Sequence, residues 1–415
     1  MRESLPYLIE NLAGIGGVLK QRPQDFVVEE VPAYSPSGDG EHLLIEIEKT
    51  GLSTFDAIDT IAKRLNVPRR DIGYAGLKDT NAVTRQWLTV RGTTLEAVDA
   101  AASDDLKILF AEKHRNKLRV GHLRGNRFTV RVRDVDPMKV VTLTAALRTL
   151  GERGMPNYFG EQRFGRRDRN DVLGLAYARR DSAEVLSVLL GRPETTDGED
   201  EFAAREAFNR GDVAQAYARW PRRDRDESAA LRRLLDGRTP DEVVAGVDRR
   251  IVDLWLSALQ SRLFNAVAAE RIRGLGDLLH GDVAFKHDNG ASFQVTDVDA
   301  ERARAERFEI SATGPIFGPR MMTPHGAGAA AECAALARAG LPTDAIDAVY
   351  TPGEFTKGPA WLGALGPGAR RPLRVRPEGL RAEAGIDEHG PFILLAFTLP
   401  PGAYATVLLR ELMRA

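Results

Sequence analysis

The chain is poor in cysteine and histidine, carries no surplus of either charge, and has no long apolar run. Each shortage removes a class of function. A single cysteine, Cys333, in 415 residues excludes an internal disulfide and any multi-cysteine metal centre. Within the alanine-rich run 327–338 it is expected to be a buried small residue. Seven scattered histidines supply no ligand spacing, so no metal site is expected. No stretch approaches the roughly eighteen apolar residues of a membrane span. The segment MRESLPYLIENLAG has no cleavable apolar core, and the expectation is a cytoplasmic protein without membrane contact. Lys and Arg total 58 against 59 Asp and Glu, a net charge of −1. Any RNA-binding surface must therefore arise by local segregation of charge. No Walker A or HExxH motif is present, and GIGGVLK at 14–20 lacks dinucleotide-fingerprint spacing and reads as a turn before a strand.

A hydrophobic fraction of 43% is enough for a real core, and the length suits two domains. Residues 26–34 and 43–49 are strand-like, and 54–65 read as a helix behind a Ser53/Asp56 capping box. The loop YAGLKDTNAVT follows, then a strand through 86–90. Residues 117–133 suggest a hairpin turning near Gly125-Asn126, with Phe128, Val130 and Val132 on one face of its second strand. Residues 138–150 read as a helix. Composition shifts after about residue 180 to a charged, helical stretch, 181–250, and then to a long helix, 251–273. The Gly/Pro-rich segment 311–325 is expected to be loop. Strand character returns at 391, before a final helix. Strand-rich ends around a different middle suggest an inserted domain, without repeats. Nothing suggests a dimer seam, so a monomer is expected.

Three features carry chemistry. In Gly76-Leu77-Lys78-Asp79-Thr80-Asn81-Ala82-Val83-Thr84-Arg85-Gln86 a carboxylate sits in a loop between strands, crowded by polar groups; an Asp capping a turn is the plain alternative. Pro156-Asn157-Tyr158-Phe159-Gly160-Glu161-Gln162-Arg163-Phe164-Gly165 interleaves aromatics, amides and arginine, a mixture that stacks on a base and bonds its edge, or else a loop packing Phe159 and Phe164 into the core. Residues 113–133 hold eight Lys or Arg, two His and no acid; Arg163, Arg166, Arg167 and Arg169 form a second run, and Arg370, Arg371, Arg374 and Arg376 a third. Such runs are solvated faces or tracks for a phosphate backbone. Arg115, Lys117, Arg127, Arg163 and Arg166 are the expected backbone contacts.

GLKDTNAVTRQW and PNYFGEQRFGR closely resemble the two signature motifs of the TruD family of pseudouridine synthases. Lys20 with PQDFVVEE at 23–30, KLRVG at 117–121 with GNRFT at 125–129, and LPPGAYAT at 399–406 with Arg410-Glu411-Leu412 resemble three further family blocks, in family order. The resemblance implies an α+β molecule. A catalytic domain with a mixed, largely antiparallel sheet would be made from residues 1–182 and 379–415, with an α/β TruD-specific domain inserted at 183–378. It implies a tRNA pseudouridine synthase, an isomerase acting on uridine, usually at tRNA position 13. Asp79 resembles the catalytic aspartate. Phe26 and Asn157 resemble substrate-contacting positions, and Lys20 a lysine that pairs with the aspartate. Tyr404 stands where the best-known bacterial form has a base-contacting phenylalanine, and its hydroxyl needs a partner or water.

The implied reaction breaks the uridine N1–C1′ bond, turns the uracil and rejoins it through C5, and no cofactor is expected. The base must leave its stack at a cost of a few kcal/mol, which rings such as Phe26, Tyr404 and Phe159 offset at about 1–3 kcal/mol per stacked base. Two other readings stand beside this one. A catalytically silent RNA-binding protein would have no need of Asp79, and a glycosidase or nucleoside hydrolase would need a second acid.

Overall fold

The computed structural model describes residues 5–351 and 353–414. The chain divides into two units: Tyr7–Asn157 together with the chain from Arg374 onward, and Tyr158–Leu373 with Leu5 and Pro6. These boundaries fall earlier than the expected 183 and 378. The Asn170–Ala178 helix belongs with the insertion because Gly174 sits against the backbone of Trp255 in the Arg249–Glu270 helix, where any Cβ would meet the Trp255 carbonyl. On the return, Arg374–Val375 already pairs with Met155–Pro156.

The first unit is built on one sheet. Its strands lie in the order Glu378–Asp387, Gly390–Leu399, Leu123–Arg133, Phe26–Pro32, Val83–Arg91, His42–Thr50, Leu106–His114. Among the described residues, only the pairing of Phe26–Pro32 with Val83–Arg91 is parallel. Phe26–Pro32 covers Val83–Arg85 alone, and Ile72–Tyr74 pairs with Leu88–Val90 on the same edge. The segment 75–82 therefore leaves one half of that edge and returns at the other. The Thr54–Arg64 helix starts at the expected capping box, with Asp56 N donating to Ser53 Oγ at 3.1 Å. It places Ala57, Ile58 and Ile61 on Ile45, Ile47, Leu88 and Val90. Truncating one such fully buried isoleucine to alanine costs about 2–5 kcal/mol.

Two sequence expectations fail here. Gly125-Asn126 is not a turn but the interior of the strand Leu123–Arg133, opposite Val31 and Glu30. The glycine is needed for close approach, since a Cβ would lie 2.4 Å from the Leu399 carbonyl oxygen. The expected face of Phe128, Val130 and Val132 is buried. The strand Glu378–Asp387 gave no signal because it is an edge strand, largely open on both faces.

The second unit combines helices with a four-stranded antiparallel sheet, ordered Ala369–Pro372, Ile310–Ile316, Val283–Lys286, Ser292–Gln294. Its strand Ile310–Ile316 takes the first six residues of the expected loop at 311–325, while 317–325 hold no helix or strand. Pro315 is tolerated because Val283–Lys286 pairs only with Ile310–Ala312, leaving the proline one neighbour, Arg370. Cys333 is half-buried rather than buried. Among the described residues no helix is long and apolar enough to cross a membrane.

Candidate active site

One row of the sheet shows how the site is made. Phe397, Phe128, Val28, Thr84 and Lys49 lie side by side across five strands. The row begins apolar, with Phe128 and Phe397 stacked at 5.2 Å, and ends in a buried lysine. The next positions along two of those strands, Glu30 and Gln86, are also buried. The 75–82 loop lies over these polar ends and takes its shape from them. Lys49 Nζ donates to the carbonyls of Leu52 at 2.6 Å and Asp79 at 3.0 Å. Gln86 Nε2 donates to the Gly76 carbonyl at 2.5 Å, and the Lys78 amide donates to Thr54 Oγ1 at 2.9 Å. Lys78 Nζ pairs with Glu30 Oε2 at 2.5 Å. Burial pushes the Glu30 carboxyl up, against the opposing pull of Lys78. Burial also pulls Lys49 down to about 8, although the Asp79 charge opposes it.

Above this floor the Asp79 side chain remains 30% exposed. Its Oδ2 accepts from Lys20 Nζ, and its Oδ1 accepts from the Asn81 amide at 3.2 Å. Partial burial pushes the carboxyl up, but Lys20 and the Asn81 and Thr80 amides together outweigh it, so the group is held below the usual carboxylate range. The ammonium of Lys20 also lies 4.5 Å from the centre of the Phe26 ring.

Lys20 has a left-handed backbone, with φ +55°, a conformation that costs a non-glycine residue about 1–2 kcal/mol. Arg133 holds both ends of the segment that imposes it. Its backbone exchanges hydrogen bonds with Val18 at 2.8 and 3.0 Å. Its buried guanidinium pairs with Asp25 Oδ1 at 2.7 Å and with Asp387 Oδ1 at 2.6 Å. Gly17 (φ +89°) fits only as glycine, since a Cβ would lie 2.5 Å from Val132.

The structure thus brings Lys20, Phe26 and Asp79 together. Asn157 is buried beside the Met155–Pro156 ladder, and half-buried Tyr404 occupies the N-cap of the Ala405–Met413 helix, both in the same unit. Phe26 is itself buried, covered by Lys20 and edge-on to Phe128 at 6.2 Å. Phe159 belongs to the other unit. There its amide donates to Asn265 Oδ1 at 2.8 Å and the Arg371 guanidinium lies 4.2 Å from its ring centre.

The expected backbone-binding cations fare differently. Arg127 is exposed with no ion-pair partner among the described residues. Lys117 is exposed and donates to the Arg70 carbonyl. Arg163 donates to the hydroxyls of Ser257 and Ser261. Arg115 already pairs with Asp39 at 2.7 Å, and Arg166 holds Glu201 through two nitrogens at 2.9 Å. In the third basic run Arg370 is buried on Glu332, and Arg374 is buried and donates to the Arg153 carbonyl at 3.1 Å.

Lys49 escaped the sequence reading, and Glu30 and Gln86 stood inside the quoted motifs without a role, although a signal exists. Each continues the apolar alternation of its strand: Ile45, Ile47, Lys49; Phe26, Val28, Glu30; and Val90, Leu88, Gln86. Polar residues on three adjacent buried faces, at or beside the register of Thr84 and Gln86, mark a polar floor.

The family model described as tRNA pseudouridine synthase D (TruD) matches residues 4–412. The chain is 42% identical over 411 residues to a tRNA pseudouridine synthase D of Geotalea daltonii, covering 99% of this chain and all of that protein. It is 43% identical to one of Geobacter sulfurreducens, covering 98% and 96% of the two chains. A crystal structure from Methanosarcina mazei, described as a candidate tRNA pseudouridine synthase D, superposes with a TM-score of 0.81 at 25% identity, covering 99% of this chain and 96% of that one. On fold, motifs and whole-length similarity together, the chain belongs to the tRNA pseudouridine synthase D family.

Proposed function

We propose that this chain converts uridine to pseudouridine in tRNA, at position 13, with Asp79 as the catalytic carboxylate. The observation that carries the reading is the Asp79 side chain, partly open to solvent yet held ionised by Lys20 on a segment fixed by Arg133. Family membership supports the substrate class, and the motif resemblance supports position 13.

Breaking the N1–C1′ bond sends its electron pair into the uracil and leaves positive charge at C1′. An ionised carboxylate beside that carbon stabilises the charge or bonds to it. After the uracil turns, C5 bonds to C1′, the C5 proton leaves to a base, and N1 takes up a proton. No atom is lost, so water must be kept from C1′. Lys20 keeps Asp79 ionised, Phe26 carries Lys20, and Lys49 fixes the backbone that aims the carboxylate. Tyr404 supplies a ring for the uracil, Asn157 an amide for its edge, and Phe159 a second ring for the RNA. Arg127, Lys117 and Arg163 face the backbone phosphates; Arg115 and Arg166 contribute less, being paired with acids. The protein acts as a monomer in the cytoplasm.

A tRNA transcript with uridine at position 13 and its cytidine variant test this. The expected result is pseudouridine at position 13 in the first and none in the second. Binding without conversion would mean a silent RNA-binding protein, and release of free uracil a hydrolase.

A further inference from the structure

The first unit holds a second concavity, of about 360 Å³, lined by Tyr34, His114, Asn116, Lys117, Arg119 and His122 around Leu118. None of its lining residues is acidic. Arg119 is exposed with no ion-pair partner among the described residues. Lys117 uses one donor on the Arg70 carbonyl and keeps two. Tyr34 is half exposed, its ring set edge-on to His122 at 5.5 Å between centres. His114 is buried, and its Nδ1 has no hydrogen-bond partner. Cations, a half-exposed aromatic ring and the exposed Asn116 amide together suit one unpaired nucleotide. The base stacks, the phosphates meet the cations, and the base edge meets the polar side chains.

This loop is also tied to the candidate catalytic loop. Leu118 is buried, and its amide donates to Thr89 Oγ1 at 3.0 Å. The Gly121 amide donates to the Ala75 carbonyl at 2.8 Å, at the start of the Asp79 loop. Gly73 leaves no space for a Cβ against the Leu118 carbonyl, 2.5 Å away. The floor of the pocket is thus part of the same packed layer that positions Asp79.

We infer that this pocket is an RNA subsite that takes an unpaired nucleotide of the tRNA substrate, with its base on Tyr34 and its phosphates on Arg119 and Lys117. The inference rests on the proposed tRNA function and adds a place that determines which tRNAs bind.

The test measures tRNA affinity against salt for Tyr34→Ala, Tyr34→Phe and Arg119→Ala in an Asp79→Asn background, and turnover of the same tRNA by the protein with Asp79 intact. Tyr34→Ala is expected to raise Kd roughly tenfold and Tyr34→Phe to restore it, because the ring and not the hydroxyl stacks. Arg119→Ala is expected to flatten the dependence of log Kd on log salt by about 0.7–0.9. With Asp79 present, both alanine variants should raise KM far more than they lower kcat. Kd within twofold in both alanine variants, with tRNA still converted by the parent protein, overturns the subsite alone. Absence of turnover by the parent overturns the function, while the Kd shifts would still support an RNA subsite.

Discussion

Two ion pairs of the same kind sit on consecutive residues and do opposite work. Lys20–Asp79 is 24% and 30% exposed, and its carboxyl is held below the usual range. Lys78–Glu30 is 4% and 0% exposed, and burial pushes its carboxyl up. A charge that must meet a substrate has to stay reachable and ionised, so its partner lies to one side. A charge that only fixes a loop can be buried, at a desolvation cost that its partner must offset. What the two share is the loop backbone, gripped from below by Lys49, Gln86 and Thr54.

Four perturbations separate the two pairs. The largest effect is expected for Asp79→Asn, whose turnover of tRNA should fall on the order of a thousandfold or more. Next comes Glu30→Ala, which leaves the Lys78 ammonium buried without its partner and should lower unfolding free energy by about 3–5 kcal/mol in denaturant titrations. Glu30→Gln should lose less, because it keeps an acceptor.

Lys20→Met should move the acid limb of the turnover–pH profile to higher pH, with a smaller change in rate at neutral pH. The sign follows from the pair. Lys20 lowers the Asp79 pKa, so the active carboxylate persists to lower pH while the lysine is present. Without it burial prevails, and the acid limb of the rate profile moves to higher pH. Stability measured at neutral pH should change little, because the pair is partly exposed.

The smallest effect belongs to Lys49. Its pKa of about 8 means that the cation is present below that pH and lost above it. A shallow fall in kcat, of a few fold, is expected as pH rises through 8, and Lys49→Met should show the lowered rate without the step.

The candidate catalytic cluster was more legible in the sequence than its support. Asp79 and Lys20 stand in local motifs, and local motifs survive any misreading of long-range structure. The strand-rich ends and the capped helix at Ser53 followed from period and turn residues, and the mixed sheet from the family resemblance. What failed were features set by distant neighbours. Gly125 looked like a turn residue and is a site of close backbone approach to Leu399. Pro315 looked like a loop residue and sits in a strand paired on one side only at that point. Arg166 looked like a phosphate ligand until Glu201, 35 residues later, was found beside it. The buried Lys49 and Glu30 were visible as polar breaks in alternating apolar faces, and only the structure shows that both hold the 75–82 loop.

The most direct test of the central claim pairs two readouts on one variant. Asp79→Asn would be given tRNA carrying tritium at uridine C5, at saturating protein in a single turnover, and its melting temperature would be measured beside the parent protein. The expected result is tritium release at background with tRNA affinity and melting temperature preserved. Release within about tenfold of the parent would contradict the assignment of Asp79 as the catalytic carboxylate.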